Sequence, residues 1–448
     1  MVQENDQEKD QTKNQPQENQ TQAKGKNAKE GEKEHIEKAK QPVSDRKEPG
    51  DLPLDGIRVV DVGTFIAGPY AATIMGEFGA EVYHVEHPLA GDPFRRLGTP
   101  SDRGDTLVWL SEARNKKSVT IDLRVPRGAE LFKRLIAKSD VCVESFRPGM
   151  LESWGLGWEE LIGVNPGLVM LRVTGYGQTG PYRDHAGFAH LAHAFGGLSY
   201  LSGFPGQTPV IPSSSPLGDY MSGLYGAIGV LLALRYKDLT GEGQYIDLAG
   251  YEAVFRQLDE MASAYGMFGK IREREGSGTV IAVPHGHFQT KDNKWVAIAC
   301  TNNKMFARLA EDAMNRPELA AENLYGLKAA RLERRDEVNA LVSEWTGSLT
   351  RDELMEKCLA AQVPIGSLNS IADIFADPHF MARDDLVRLK EDDLGEIVIP
   401  GVFPKLSETP GRVTSLGPPL GKHTDEVLSN VLGLSASELM QLHKNKVI

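Results

Sequence analysis

The sequence has 448 residues and a formal net charge of −12 at pH 7, with 40% hydrophobic and 25% charged residues. This length predicts two or three structural units, and the hydrophobic and charged fractions are typical of globular proteins. The acidic balance argues against nucleic acid as a main partner, since neutralising phosphates requires a basic face.

The first segment, residues 1–51, differs in composition from the rest of the chain. Its first fifty residues lack Leu, Phe, Trp and Tyr and are mostly Gln, Asn, Lys and Glu. Such a segment buries too little apolar surface to offset the entropy of ordering, so we predict a disordered polar tail. It has no apolar stretch typical of a secretory signal, and its acidic residues disfavour a transit peptide. We expect a cytoplasmic protein, which also suits three isolated cysteines: Cys142, Cys300 and Cys358.

The next segment has the pattern of a parallel β-sheet. A strand is predicted over 57–62, a glycine turn leads into a helix that continues over 70–77, and a second strand follows over 79–85. Strand, helix and strand in this order form a βαβ unit. The alternation continues with strands over 118–123, 141–144 and 168–173 and a helix over 128–139. We therefore predict a doubly wound, Rossmann-like α/β domain over 52–265.

A smaller α+β domain is predicted over 280–385. It contains a strand over 295–300 and helical apolar spacing over 304–314 and 331–346. A further strand over 396–401 precedes a helix that starts at Thr424 or Asp425. We expect residues 386–448 to return to the large domain.

Asp219 is the acidic residue with the most suggestive position. It precedes an apolar helix rich in small residues, whose longest apolar run, 224–234, is too short to span a membrane. An aspartate here fits a helix N-cap, and it fits a nucleophile that the helix N-terminus keeps ionised at neutral pH. The spacing alone favours neither interpretation.

Other groups of polar residues and turns give weaker indications of a functional site than Asp219. Seven basic residues near predicted strand ends could bind phosphates, although each alone fits a solvated surface charge: Arg95, Arg96, Arg114, Lys116, Lys117, Arg124 and Arg147. His190 and His193 lack a Glu or Cys partner, so we predict no metal site. No G-x-S-x-G elbow is present around Ser199, Ser202 or Ser222. Gly63 to Pro69 does not fit the dinucleotide-binding spacing.

Eight short motifs occur in order along the chain: Pro53–Val62, Ala67–Pro69, Asn115–Ser118, Phe146–Gly149, Gly175–Tyr182, Gly218–Asp219, Thr240–Gln244 and Pro419–Glu426. Together they resemble family III CoA-transferases of the CaiB/BaiF type. The overall pattern is most similar to the branch that moves CoA from succinyl-CoA to dicarboxylic acids such as L-malate, citramalate or benzylsuccinate.

The resemblance implies a ring-shaped subunit in an interlocked homodimer, or in a dimer with a homologous second subunit. It implies that Asp219 attacks an acyl-CoA thioester and then carries CoA as an aspartyl thioester, with CoA as substrate and no tightly bound cofactor. The implied CoA contacts are Ile66, Ala67, Arg124, Ser145, Phe146 and Arg147. His87 and Ser153 stand where relatives often have arginine, which would shift phosphate contacts to Arg95 or Arg147.

Two alternative functions remain, an α-methylacyl-CoA racemase and a non-catalytic acyl-CoA-binding protein. The racemases use a histidine in a Gly-His-Asp sequence, whereas this chain has Gly187-Phe188-Ala189, which cannot carry a proton. Oxalate-specific relatives have glutamine at the position of Ile66 and a glycine run where this chain has Pro284–Phe288, which disfavours that substrate. Candidates to hold a second substrate carboxylate are Arg183, His285 and His287.

Overall fold

A computed structural model of the chain describes residues 51–448. The predicted polar tail lies outside the described residues, apart from Asp51 itself.

The main element is a six-stranded sheet in which all strands run parallel, in the order β3-β2-β1-β4-β5-β6. This is the order of doubly wound α/β folds, and it confirms the predicted α/β class. The last strand, β6, was not predicted. The strands are β1 (Arg58–Asp61), β2 (Glu81–Glu86), β3 (Lys116–Thr120), β4 (Val141–Glu144), β5 (Val169–Thr174) and β6 (Gln244–Ala249).

Helices cover both faces of this sheet, and the alternation of side chains along the strands explains why. In β4, Val141 and Val143 pack on one face and Cys142 on the other, and all three are fully buried. The helices in this part of the chain are α1 (Ala67–Glu77), α2 (Leu107–Glu112), α3 (Pro126–Ile136), α4 (Met150–Ser153), α5 (Trp158–Val164), α6 (Ala189–Phe195), α7 (Leu198–Leu201), α8 (Leu217–Thr240), α9 (Gly250–Phe255) and α10 (Met261–Phe268).

The long helix α8 packs closely against α1. A Cβ added at Gly223 would lie 2.8 Å from Tyr70 Cδ1 and 3.0 Å from the carbonyl oxygen of Ala67, so only glycine fits this contact. The apolar run 224–234 alone is too short to cross a membrane. The whole of α8 is longer, and by length and composition it is the one helix in residues 51–448 that could do so. Its small-residue face nevertheless lies against α1 and β5, as expected for a core helix.

The segment after 280 forms a second region with its own apolar cluster, drawn from residues 283–365. Its strands are β7 (His285–Gln289), β8 (Trp295–Ala299) and β9 (Ile365–Ser367), which form an antiparallel sheet, whereas the ribbon of β10 (Leu386–Glu391) and β11 (Gly395–Pro400) that follows packs in the apolar cluster of Phe94 and Trp109. Its helices are α11 (Asn303–Arg308), α12 (Lys328–Glu333), α13 (Arg335–Gly347), α14 (Arg351–Ala360), α15 (Ile371–Ala376) and α16 (Pro378–Ala382).

Two predicted helices in this region are interrupted. The predicted 304–314 helix is α-helical only in α11 and continues as a π-helical turn over Leu309–Ala313. The predicted 331–346 helix breaks at Arg334, whose backbone (φ −107°, ψ 43°) is not helical. The apolar side chains of both segments, such as Leu309, Ala313, Val338 and Val342, still join the apolar cluster of this region. The bounds of the large and small domains stay predictions.

The end of the chain packs against the large sheet. Helix α17 (Thr424–Leu432) begins at Thr424, and α18 (Ala436–Lys444) follows it. The backbone N–H of Thr120 in β3 donates to Thr424 Oγ1 at 2.9 Å. Val427 and Ile448 join the apolar cluster that also contains α3.

Candidate active site

A cavity of about 210 Å³ opens at the carboxyl ends of β1, β4 and β5. This is where the strand order reverses direction, the position at which open parallel sheets bind ligands. The lining comes from the loops after these strands, the segment 185–188 and the first turns of α8 and neighbouring helices. The lining residues are Thr64, Phe65, Ala67, Ser145–Pro148, Val173–Gly175, His185–Phe188, Ala192, Asp219, Ser222 and Gly250.

Asp219 lies in the first turn of α8 and lines the cavity. It is not the N-cap, because that position belongs to Pro216 and no side chain caps the helix. Burial raises the pKa of Asp219 to about 6, and His190 opposes this rise. The N-cap interpretation was therefore wrong, and the raised pKa of Asp219 follows from its loss of solvation. The group is still mostly ionised at pH 7.

The loop after β1 rests on a buried cluster of charges that sequence reasoning missed. Asp61 Oδ2 accepts hydrogen bonds from His84 Nδ1 at 2.8 Å and Lys116 Nζ at 2.9 Å, and its Oδ1 accepts from the Gly63 N–H at 3.0 Å. Burial alone would raise the pKa of Asp61, but Lys116 and His84 lower it to about 2. The pKa of His84, which burial alone would lower, is raised to about 9 mainly by Asp61. These charges hold the turn that forms one wall of the cavity.

The neighbouring Asp92 extends this support to Phe65. Its Oδ1 accepts hydrogen bonds from the backbone N–H groups of Phe65, at 3.1 Å, and Phe94, at 2.8 Å. Phe65 has a φ of +62°, a left-handed conformation that a bulky residue adopts only when its surroundings impose it.

The loop after β4 supplies three of the predicted site residues. The Thr64 N–H donates to Ser145 Oγ at 2.9 Å, which ties this loop to the one after β1. The Phe146 N–H donates to Glu144, and its ring packs edge-on against Trp154 at 5.3 Å. Arg147 is exposed, lines the cavity and forms no ion pair within residues 51–448. It is therefore available to bind an anion.

A second cavity, of about 170 Å³, adjoins the first and shares Thr64 and Phe146 with it. Arg124 and His87 contact each other at its edge, and Arg124 also forms a bidentate pair with Asp122, at 2.8 Å for each bond. The Arg124 side chain is 57% exposed. The linings of the two cavities mark a path from Asp219, in the first cavity, to Arg124, in the second.

Other predicted residues lie away from this path. The side chain of Ile66 is buried against Phe94 and Trp109, so any contact with a ligand would come from its backbone. Arg183, His285 and His287 do not line the cavity of Asp219.

Three of the basic residues considered for phosphate binding are buried in ion pairs. Arg95 pairs with Glu86 at 2.7 Å, Arg114 with Glu77 at 2.5 Å and Lys116 with Asp61. They are therefore neither surface charges nor available for phosphate, and Arg95 cannot replace the missing arginine contacts. Their partners are distant in sequence, so no local pattern reveals them.

Phe188 and Ala189 occupy the positions at which the Gly-His-Asp sequence of the racemases would place its histidine and aspartate. Phe188 is 63% exposed and lines the cavity, whereas Ala189 is buried in the first turn of α6. Neither can move a proton. His185 is the histidine that lines the cavity in the described part of the chain, and its ring stacks on Tyr182 at 5.0 Å.

Comparison with known proteins shows the family of the chain. Residues 54–424 match the family described as CoA-transferase family III. The chain is 63% identical over 416 residues to the succinyl-CoA–L-malate CoA-transferase alpha subunit of Chloroflexus aurantiacus, covering 92% of this chain and 97% of that one. It is 59% identical to the beta subunit over 399 residues, covering 89% and 98%. A crystal structure of a CaiB/BaiF family protein from Brucella suis superposes with a TM-score of 0.76 at 31% identity, covering 85% and 100%.

Proposed function

The chain belongs to CoA-transferase family III and is a CoA-transferase, and we propose that it moves CoA from succinyl-CoA to a dicarboxylic acid, L-malate in the first place. The observation that carries this proposal is Asp219, a carboxylate with no paired cation among residues 51–448, in a cavity at the carboxyl ends of the central strands. The choice of succinyl-CoA and L-malate is supported by the names of two relatives, the alpha and beta subunits of succinyl-CoA–L-malate CoA-transferase, to which this chain is 63% and 59% identical.

The first half of the proposed reaction loads CoA onto the enzyme. A carboxylate oxygen of Asp219 attacks the thioester carbonyl carbon of succinyl-CoA, the C–S bond breaks and CoA thiolate leaves. The product is a mixed anhydride of succinate and Asp219. The thiolate then attacks the carbonyl carbon of Asp219, which forms an aspartyl-CoA thioester and releases succinate with the bridging oxygen.

The second half runs the same chemistry in reverse with the acceptor acid. The acceptor carboxylate attacks the aspartyl thioester, CoA thiolate leaves, and a second mixed anhydride forms. The thiolate attacks the acceptor carbonyl carbon, which yields acceptor-CoA and restores the carboxylate of Asp219. No net proton transfer is required, so the absence of a base at Phe188 and Ala189 does not hinder this sequence.

The two adjoining cavities suggest how CoA binds. We place the thioester beside Asp219 in the first cavity, between Ala67 and the Ser145–Arg147 loop, and the nucleotide end in the second cavity towards Arg124. Arg124 and Arg147 are the exposed guanidinium groups on this path, and both suit phosphate contacts. Phe146, which lines both cavities, would contact the connecting chain of CoA.

We propose that the protein acts as a dimer of interlocked, ring-shaped subunits. An outward face of α8 carries apolar side chains that are 43–68% exposed in the single chain, a pattern that favours burial by another subunit. These side chains are Leu224, Ile228, Leu231, Leu232 and Leu239. Similarity to both an alpha and a beta subunit leaves two candidate partners, a second copy or a homologous chain.

The decisive experiment traps the covalent intermediate. The purified protein is mixed with succinyl-CoA, quenched within one turnover and digested, and the peptide containing Asp219 is analysed by mass spectrometry. We expect a CoA or succinyl adduct that hydroxylamine removes. A wild-type protein that transfers CoA without forming such an adduct would overturn the mechanism, and so would an Asp219→Ala variant that still transfers.

The acceptor is tested separately with a panel of acids and succinyl-CoA, read out as new CoA esters. L-Malate, citramalate, itaconate and benzylsuccinate are compared with a monocarboxylate such as butyrate. Light scattering of the chain alone, and after co-expression with a homologous chain, tests the partner. Deuterium incorporation at the acyl α-carbon without any acceptor would instead indicate the racemase alternative.

A further inference from the structure

We propose that His193 is a positioning residue for Asp219: it fixes the start of α8 by accepting a hydrogen bond from the backbone N–H of Gly218. The inference rests on the proposed function, since it concerns the rate at which Asp219 reacts.

The contact itself is short and buried. Gly218 N lies 2.8 Å from His193 Nε2, and both residues are buried. Because an amide N–H can only donate, Nε2 must be the acceptor and the imidazole must be neutral, with its proton on Nδ1. Burial, together with His190, lowers the pKa of His193 and thereby favours this form.

Gly218 is also held from its other side. The Ser222 hydroxyl donates to the Gly218 carbonyl oxygen at 2.7 Å. A Cβ at Gly218 would lie 3.1 Å from the carbonyl oxygen of Ala189 and 3.3 Å from two ring atoms of His193, so α6 and α8 meet here with no room for a side chain. The residue directly before Asp219 is thus fixed at its N–H, at its carbonyl and at its Cα.

The other nitrogen of His193 indicates what the residue is for. Nδ1 is buried and has no hydrogen-bond partner among residues 51–448. A buried N–H without an acceptor lowers the stability of a fold, so an imidazole is a poor choice as mere core filling. Among residues 51–448, the hydrogen bond between Nε2 and Gly218 is the one polar contact that explains why a histidine occupies this position.

The consequence for the reaction is geometric. The side chain of Asp219 starts one residue after the fixed Gly218, and no donor in the described residues holds its carboxylate. The orientation of the Asp219 carboxylate towards the thioester therefore depends on the backbone conformation of this turn. Displacement of a reacting group by about 1 Å can slow a reaction about 10²-fold.

The test compares His193→Leu, which removes the acceptor, with His193→Gln, whose amide oxygen can take the place of Nε2. Single-turnover adduct formation on Asp219 from succinyl-CoA is measured together with the KM for succinyl-CoA. We expect His193→Leu to form the adduct about 10- to 100-fold more slowly with little change in KM, and His193→Gln to recover most of the rate. Equal rates for His193→Leu and wild type, or an equal loss in both variants, would overturn the inference.

A measurement on the wild type covers the case in which His193→Leu does not fold. Imidazole ¹⁵N shifts, assigned to His193 by comparison with His193→Gln, report the tautomer. A protonated Nε2 at neutral pH would overturn the inference, because that nitrogen could not accept from Gly218. If wild type itself forms no adduct on Asp219, the proposed function fails, which is a different outcome from an adduct whose rate is insensitive to His193.

Discussion

Two carboxylates near the cavity, Asp61 below the β1 loop and Asp219 at the start of α8, have opposite surroundings. Asp61 is fully buried and accepts hydrogen bonds from His84, Lys116 and a backbone N–H, and its pKa falls to about 2. Asp219 is only partly buried, has no such partner in the described residues, and its pKa rises to about 6. The hydrogen bonds and cations around each carboxylate, rather than its depth of burial, decide which of the two has the lower pKa.

The same contrast separates the cations of this region. Arg95 is buried between Glu86 and Asp105 and lies over the ring of Trp109. Arg147 is exposed at the cavity and forms no ion pair within residues 51–448. The compensated charges support the walls of the cavity, whereas Asp219 and Arg147 have no ion-pair partner among residues 51–448 and line it. An unpaired, perturbed carboxylate in a cleft is the kind of group expected at an active site.

The largest effect is expected when the unpaired carboxylate is removed. Asp219→Asn is nearly isosteric but cannot attack a thioester as a carboxylate does, so we expect turnover to fall at least about 10³-fold. The melting temperature should stay the same or rise, because a partly buried charge without a partner is lost. Transfer rates and thermal unfolding are measured on the same preparation. A fall in stability that matches the loss of activity would mean that Asp219 is structural.

The compensated carboxylate should respond in the opposite way. Asp61→Asn leaves Lys116 as a buried charge without its counter-ion and removes one of the two carboxylates that pair with His84, which costs about 3–5 kcal/mol of unfolding free energy. Urea unfolding measures this loss, with the exposed Asp238→Asn on α8 as a control for an equal change of charge. A change within about 0.5 kcal/mol, as for the control, would contradict the role of the buried cluster.

The pH dependence of the reaction tests the raised pKa directly. An attacking carboxylate must be ionised, so the rate of adduct formation should fall about tenfold per pH unit below a pKa of about 6 and level off above pH 7. The same profile is measured for His193→Gln, which removes the titration of that imidazole. The acid limb should remain in this variant. A limb near pH 4 would show that Asp219 is as well solvated as an ordinary aspartate.

Most of the parallel sheet was predictable, because its inner strands are short apolar runs that need no knowledge of their neighbours. The edge strand β6 was not, since its residues are exposed over most of its length and show no clear alternation. The site residues from Ala67, the Ser145–Arg147 loop and Asp219 do meet in one cavity. Their roles in binding and catalysis stay predictions until the reaction is measured.

The buried charges could not be predicted for a different reason. Asp61, His84 and Lys116 lie on three separate strands, and the register of β1 against β2 and of β2 against β3 brings them together. Each one alone is an ordinary polar residue in an apolar strand. In the same way, the pKa of Asp219 depends on its burial in the folded chain, and the local sequence around Asp219 carries no information about that burial.

The smallest expected effect concerns the unpaired cation. Arg147→Ala should raise the KM for succinyl-CoA roughly tenfold, the loss of one hydrogen bond to a charged group or about 1.5 kcal/mol, and leave the melting temperature unchanged. Arg383→Ala removes an equally exposed guanidinium far along the chain and serves as the control. A phosphate contact also predicts that added salt weakens binding in wild type more than in Arg147→Ala. If wild type and Arg147→Ala show the same KM and salt response, Arg147 does not contact CoA, and the comparison of paired with unpaired charges holds for Asp219 alone.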